Sequence, residues 1–263
     1  MTDNIDTQTC GPEHEESVFR FRRFSVINRR SAMKVNTDGV LLGAAMTLEG
    51  NERQLLDIGT GTGTIALMAA QRLSELRTEE NLPDKFVVTG IDIDPDSAAE
   101  AEENFRRSCW KDRLTAIHAS LNDFSASCDA DTCFDMIFSN PPYYGGDLKA
   151  PDPRRCNARH AGSLSWTDII GFAAEYLSEN GHLSLILPSD QKNDLNRHAA
   201  SCGLYMFRLV YIRTVPRKNP KRILAEFSRK LTRTPQEETI SIQEAGTWSE
   251  KYRSLLSDFL INL

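Results

Sequence analysis

Gln54-Leu55-Leu56-Asp57-Ile58-Gly59-Thr60-Gly61-Thr62-Gly63-Thr64 runs a short apolar strand into a turn with glycine at every second position, and from there into a helical pattern. Glycine lets backbone come close to a ligand, and a helix that starts after it offers amide hydrogens. The even spacing of Gly59, Gly61 and Gly63 departs from the Gly-x-Gly-x-x-Gly of dinucleotide sites. Asp57 ends its strand, where a carboxylate reaches a cation rather than a pyrophosphate. Outward from this turn, strands are predicted over 54–58, 86–93, 114–119, 134–139, 182–187, 204–212 and 222–230, with helices over 64–76, 97–109, 166–177 and 194–202. Such alternation gives an α/β fold, a mostly parallel sheet with helices on both faces. The stretch between the last two strands is too short for a crossover helix, so they pair antiparallel. The expectation is seven strands, one of them antiparallel. Residues 1–16 are polar and acidic without period and read as a loosely held segment. A single domain is expected over 17–263: a basic extension (17–50), a core (51–233) and a tail (234–263). In the tail, a helix near 250–260 puts Tyr252, Leu255, Leu256 and Phe259 on one face.

The second strand ends in Gly90-Ile91-Asp92-Ile93-Asp94. An acid there is placed to accept both ribose hydroxyls of an adenosyl group; Asp92 takes that part, with Asp94 capping the next helix. The fourth strand, Phe134-Asp135-Met136-Ile137-Phe138-Ser139, runs straight into Asn140-Pro141-Pro142-Tyr143. Two prolines stop the strand and stiffen the turn, holding Asn140 at the carboxyl edge of the sheet, where open α/β folds bind ligands.

In these residues the chain resembles the Rossmann-like class I S-adenosylmethionine-dependent methyltransferases, and its Asn-Pro-Pro-Tyr turn resembles that of members acting on a planar exocyclic nitrogen. Four further blocks narrow the resemblance: 19–24 (Phe-Arg-Phe-Arg-Arg-Phe), 34–43 (Lys-Val-Asn-Thr-Asp-Gly-Val-Leu-Leu-Gly), Ala158-Arg159-His160 and 221–227 (Lys-Arg-Ile-Leu-Ala-Glu-Phe). They are similar to the bacterial family that methylates the N6 amine of the adenosine beside the anticodon in a valine tRNA. The resemblance spans about 17–260. It implies S-adenosylmethionine as cofactor, held by Lys34, Thr37, Asp38, Asp57, Gly59, Gly61, Gly63, Asp92, Ser120 and Asn140. It also implies that the Asn140 side-chain oxygen and the Pro141 carbonyl accept the two amine hydrogens while Tyr143 stacks on a base flipped out of the RNA. Where many relatives carry an acid at the end of the third strand, this chain has Ala119-Ser120-Leu121-Asn122-Asp123. Either Ser120 or, from the loop, Asp123 meets the cofactor's adenine.

The chain of 263 residues has a net charge of −6, spread unevenly. Segments 17–34, 149–160 and 213–233 hold 18 of the 31 Lys and Arg but, as acids, only Asp152 and Glu226. Strips of this kind suit RNA phosphates if folding brings them together. Arg20, Arg22, Arg23, Arg159, Arg217, Lys218 and Lys221 are the candidate RNA contacts. The six cysteines and five histidines are scattered, so no metal motif is expected and reduced thiols in a cytoplasm fit. No apolar run approaches the ~18 residues that span a bilayer, and the acidic start is no signal peptide. Competing readings are methylation of a glutamine amide in a translation release factor, of ribosomal RNA or DNA adenine, or a nucleic-acid-binding module without catalysis. Release-factor enzymes carry a helical domain ahead of the glycine turn, whereas 56 residues precede Asp57 here.

Overall fold

The computed structural model describes residues 17–80, 82–83, 85–142 and 164–263. After a hairpin of β1 (Val18–Arg20) and β2 (Ser25–Ile27) come α1 (Thr37–Ala45), β3 (Gln54–Ile58), α2 (Thr64–Glu79), β4 (Val87–Asp92), α3 (Pro95–Arg107), β5 (Leu114–His118), α4 (Leu121–Ser127) and β6 (Phe134–Ser139). There follow α5 (Trp166–Tyr176), β7 (Leu177–Pro188), α6 (Lys192–Ser201), β8 (Tyr205–Arg213), β9 (Arg222–Ser228) and β10 (Gln236–Ser241). A two-residue hairpin, β11 (Gln243–Glu244) and β12 (Thr247–Trp248), and α7 (Glu250–Leu256) complete the chain.

The sheet has eight strands in the order β10-β8-β9-β7-β6-β3-β4-β5. One strand, β9, runs against its neighbours; β10 lies parallel to β8 at the edge. The expected seven-strand count is therefore corrected by β10. That strand reads Gln236-Glu237-Glu238-Thr239-Ile240-Ser241 and buries only Ile240, so an edge position left it without the apolar alternation of a central strand. Central strands alternate by face. Leu55, Met136 and Phe138 join α1, α2, α3 and α7 in one core, while Leu56, Ile58 and Ile137 meet α5 and α6 in the other. The tail's helix ends at Leu256, short of the expected 260; of its expected face Tyr252, Leu256 and Phe259 are buried and Leu255 is half-buried.

β3 pairs with β4 on one side and β6 on the other, so the chain order reverses between β3 and β6. Their carboxyl ends flank the crevice where such sheets bind ligands. Ser139 Oγ donates to the Ile58 carbonyl at 2.6 Å and fixes the two strand ends together. Two of the four blocks that narrowed the resemblance, 34–43 and 221–227, also meet. Arg222 at the start of β9 pairs with Asp38 at 2.8 Å, and fully buried Glu226 accepts from the Thr47 amide and hydroxyl just past α1. Arg208 of β8 neutralises Glu226 at 2.6 Å. Among the described residues no helix is long and apolar enough to cross a membrane.

Candidate active site

At the carboxyl ends of β3, β4 and β6 lies a cavity of about 340 Å3, within the range of small-molecule sites. Gly59, Gly61, Asp92, Ser120 and Asn140 line it, so five of the residues read from sequence converge. The glycine turn is bound to β4: the Gly59 and Thr60 amides donate to the Ile91 carbonyl at 2.9 Å, and the Gly61 amide to Asp92 Oδ2 at 2.8 Å. These amides are committed to protein, so the turn contributes close backbone approach more than amide donors. Gly61 sits at φ +55°, and a Cβ there would meet Ser31 Oγ at 3.5 Å and the Met33 carbonyl at 3.6 Å. Gly63, the residue before α2, faces away from the cavity: its Cβ would lie 2.4 Å from Phe105, so its purpose is close packing of α2 on α3.

Asp57 is fully buried beneath the turn. Burial pushes its carboxyl up to about 7, a hydrogen bond from the Thr60 hydroxyl (2.8 Å) draws it back, and the charge of Asp92 adds to the rise. Its Oδ1 has no hydrogen-bond partner among the described residues. Asp57 itself lines neither this cavity nor the small one beside Lys34, so it acts on a ligand there only through its field from beneath Ile58 and Gly59, which favours a cation. Asp92 is raised by burial, against the hydrogen bonds from the Asp94 and Gly61 amides. Each of its oxygens accepts one amide and keeps a second lone pair for a hydroxyl. Asp94 caps α3 through the Ser97 amide, and the Ser97 hydroxyl holds its carboxyl below the ordinary value. Ser120 caps α4 and also donates to Asp123 Oδ2 at 2.6 Å. Asp123 lies outside the cavity lining, whereas Asn122, which sequence reading passed over, belongs to it.

Asn140 is buried at the end of β6. Pro141 is buried and Pro142 lines the cavity. Tyr143 and Arg159 lie outside the described residues. Across from Asn140 runs a strap, residues 28–36, held by two buried side chains of α3. Glu100 accepts the amides of Arg29, Arg30 and Ser31, and Asn104 bonds both polar groups of Ile27 and the Thr62 carbonyl. Lys34 lines a small adjoining cavity while its ammonium donates to the Arg29 carbonyl. Thr37 is the exposed first residue of α1, with Asn36 as the cap. Asp38 is engaged by Arg222. Neither Thr37 nor Asp38 lines either cavity. Met33 and Asn36 do face Asn140, and the signal for Asn36 was its place before Thr37-Asp38-Gly39, an N-cap followed by an acid in the first turn.

The basic strips divide. β7 and β8 run parallel to β6, so the 214–221 loop between β8 and β9 lies at the carboxyl edge with the cavity, and Arg217, Lys218 and Lys221 are exposed on it. Arg29, Arg30 and Lys34 approach the same edge, where Ser31 bonds Ser97 at the start of α3. Arg20, Arg22 and Arg23 do not join them. Arg23 pairs with Glu75 near the far end of α2, Arg22 donates to the Leu260 carbonyl, and Arg20 is exposed on β1. Arg229, at the other end of β9, bonds the Ala174 and Leu177 carbonyls. Segment 149–160 lies outside the described residues. Among the described residues no three His, Cys, Asp or Glu cluster as metal ligands.

A family model described as a methyltransferase domain matches residues 50–246. The chain is 37% identical over 245 residues to a tRNA1(Val) (adenine(37)-N6)-methyltransferase of Bacteroides thetaiotaomicron, covering 93% of this chain and 98% of that one. It is 40% identical over 250 residues to the protein of that name in Porphyromonas gingivalis, covering 92% and 94%. Among solved structures, a predicted O-methyltransferase from Agrobacterium tumefaciens superposes with a TM-score of 0.61 at 17% identity, covering 86% of this chain and all of that one. The T. thermophilus 16S rRNA N2 G1207 methyltransferase, in complex with AdoMet and guanosine, does so at 0.52 and 18%, covering 81% and 50%. These two likenesses show a shared fold.

Proposed function

Because the chain belongs to the tRNA1(Val) (adenine(37)-N6)-methyltransferase family, we propose that it methylates the exocyclic N6 amine of adenosine 37 in a valine tRNA with S-adenosylmethionine as donor. The observation that carries this reading is the buried Asn140, stiffened by two prolines at the rim of the cavity that Gly59, Gly61 and Asp92 line. The cofactor supplies an electrophilic sulfonium methyl. Asp92 would hold the ribose hydroxyls with its remaining lone pairs, Ser120 and Asn122 would border the adenine, and Asp57, in its ionised form, would answer the positive charge from beneath the turn.

An adenine amine is a poor nucleophile because its lone pair is delocalised into the ring. Asn140 Oδ1 and the Pro141 carbonyl each accept one amine hydrogen, which localises the lone pair and aims it at the methyl carbon. Orientation and stabilisation of developing charge combine here, each worth roughly 3 kcal/mol for a well-aimed hydrogen bond. The surplus proton leaves to water, so a dedicated base is not needed. A stacked base cannot reach a turn this deep in the edge, so the adenosine is flipped out, with Tyr143 as its stacking partner. Arg217, Lys218 and Lys221, with the strap's basic residues, hold the phosphates.

The test is methyl transfer to a valine tRNA transcript carrying adenosine or guanosine at position 37, by the wild type and Asn140→Ala. Wild type should methylate only the adenosine transcript, and the variant should lose about a hundredfold or more in kcat with a far smaller loss of cofactor affinity. Transfer to the guanosine transcript, or faster methylation of a translation release factor, would overturn the assignment.

A further inference from the structure

Accepting an amine hydrogen requires Asn140 to present oxygen, not its own NH2, to the incoming base. A carboxamide is nearly symmetrical in shape, so something must decide which end faces out. On the side of the strap, Asn140 Nδ2 lies 3.5 Å from Asn36 Oδ1 and 3.6 Å from Met33 Sδ. Sulfur in a thioether accepts and never donates. Asn36 is itself a carboxamide, but its orientation is determined twice over. Its Oδ1 accepts the Gly39 amide at 2.9 Å as the N-cap of α1, and its Nδ2 donates to the Lys34 carbonyl at 2.9 Å. Both groups opposite Asn140 are thus acceptors, and only the NH2 end of Asn140 can face them.

We propose that Asn36 and Met33 are positioning residues that set which way the Asn140 carboxamide faces. The start of α1 orders Asn36, Asn36 and Met33 order Asn140, and the Asn140 oxygen is turned to the side away from the strap, where the amine arrives. The strap is held in this register by Glu100 and Asn104 of α3. Neither residue touches the reacting atoms in this scheme. The inference rests on the function proposed above.

The experiment uses the full chain, the adenosine transcript and four variants: Asn36→Ser, Asn36→Asp, Met33→Leu and the combined Asn36→Ser/Met33→Leu. Serine still caps a helix but is too short to reach Asn140, aspartate keeps the cap and the acceptor while losing the bond to the Lys34 carbonyl, and leucine keeps the volume of methionine without its sulfur. Two modest hydrogen bonds are at stake, so each single loss should lower kcat by about two- to fivefold and the combined variant by about tenfold or more. Asn36→Asp, which keeps the acceptor towards Asn140 and loses only the bond to Lys34, should fall clearly less than Asn36→Ser. KM for tRNA and the thermal midpoint should be unchanged throughout, and the calorimetric affinity for S-adenosylmethionine unchanged in Asn36→Ser, whose residue does not line the cofactor cavity, which a merely structural effect would not leave untouched. A combined variant as active as the wild type, or an Asn36→Asp variant that falls as far as Asn36→Ser, overturns the positioning role. A wild type that methylates no tRNA removes the functional reading itself, and the positioning role with it.

Discussion

Asp57→Asn separates the electrostatics of the site from its packing. Burial lifts the folded-state carboxyl from 3.8 to about 7, so between those values the folded protein holds a proton that the unfolded chain has released. Stability contributed by this group is therefore full below pH 3.8 and falls as pH rises, levelling off above 7. Integrating the two titrations gives a loss of about 1.7 kcal/mol by pH 5 and about 4.3 by pH 8, so about 2.6 kcal/mol is lost between them. Asparagine abolishes that slope. Its oxygen still accepts from Thr60, but its NH2 takes the place of the unpartnered Oδ1 and costs about 1–3 kcal/mol at every pH. Urea unfolding of both proteins at pH 5 and pH 8 isolates the titration, because the groups common to both cancel. The variant should gain about 2–3 kcal/mol on the wild type from the lower pH to the higher. A difference that stays constant within about 0.5 kcal/mol would refute a protonated Asp57 in the folded state. Calorimetry at pH 8 should show weaker binding of S-adenosylmethionine by the variant, since it offers no charge to the cation, and the difference should shrink at pH 5, where the wild-type carboxyl is protonated. Gain of stability at pH 8 with loss of binding is the mark of a group kept for function.

Gly63→Ala places a Cβ at φ +78° and 2.4 Å from Phe105; the backbone and packing costs together lower the thermal midpoint by roughly 5–15 °C, read by circular dichroism. Gly171→Ala, in α5 with nothing within 4 Å of the new methyl group, is the opposite control and should raise stability by about 1 kcal/mol. Arg208→Ala takes the ion-pair partner from a Glu226 that is 0% exposed, and urea unfolding should show a loss of about 3–5 kcal/mol, part of it recovered by adding Glu226→Gln. Reversing Arg217, Lys218 and Lys221 to Glu should weaken tRNA binding and flatten its dependence on log salt by about 2–3, while reversing Arg22 and Arg23 should leave that slope near the wild-type value.

The sheet was legible because its central strands obey a simple rule. Leu55 and Leu56 face opposite cores, as do Phe138 and Ile137, and such strands are apolar in a run that a sequence displays directly. β10 was not legible, since an edge strand with one buried side chain looks like a polar tail. Nor was α1. Its Val40-Leu41-Leu42-Gly43-Ala44-Ala45 is buried on every side, so it lacks the polar face that marks a helix in sequence. The sequence reading gave Thr37 and Asp38 to the cofactor and passed over Asn36, the cap whose amide oxygen faces Asn140.

For the site, sequence resolves residues that act through strand ends and misses those that act through long-range contact. Asp57, Asp92 and Asn140 each follow an apolar run, so their place at the carboxyl edge comes from their own neighbours in the chain. Asn36, Met33 and Asn104 reach the site across 104, 107 and 42 residues of sequence, and no local pattern encodes such a pairing. Charge shows the same limit. Counting cations along the chain joins Arg20, Arg22 and Arg23 to Lys34 in one strip, but the strip follows α3 from one edge of the sheet to the other. Glu75 draws Arg23 to the far end of α2, and Glu100 and Ser97 draw the strap to the near edge. A strip of like charge, free to lie in any direction, is laid down by the partners that hold its side chains and backbone, here Glu75, Glu100 and Ser97, and those partners are the part of the pattern that a count of basic residues leaves out.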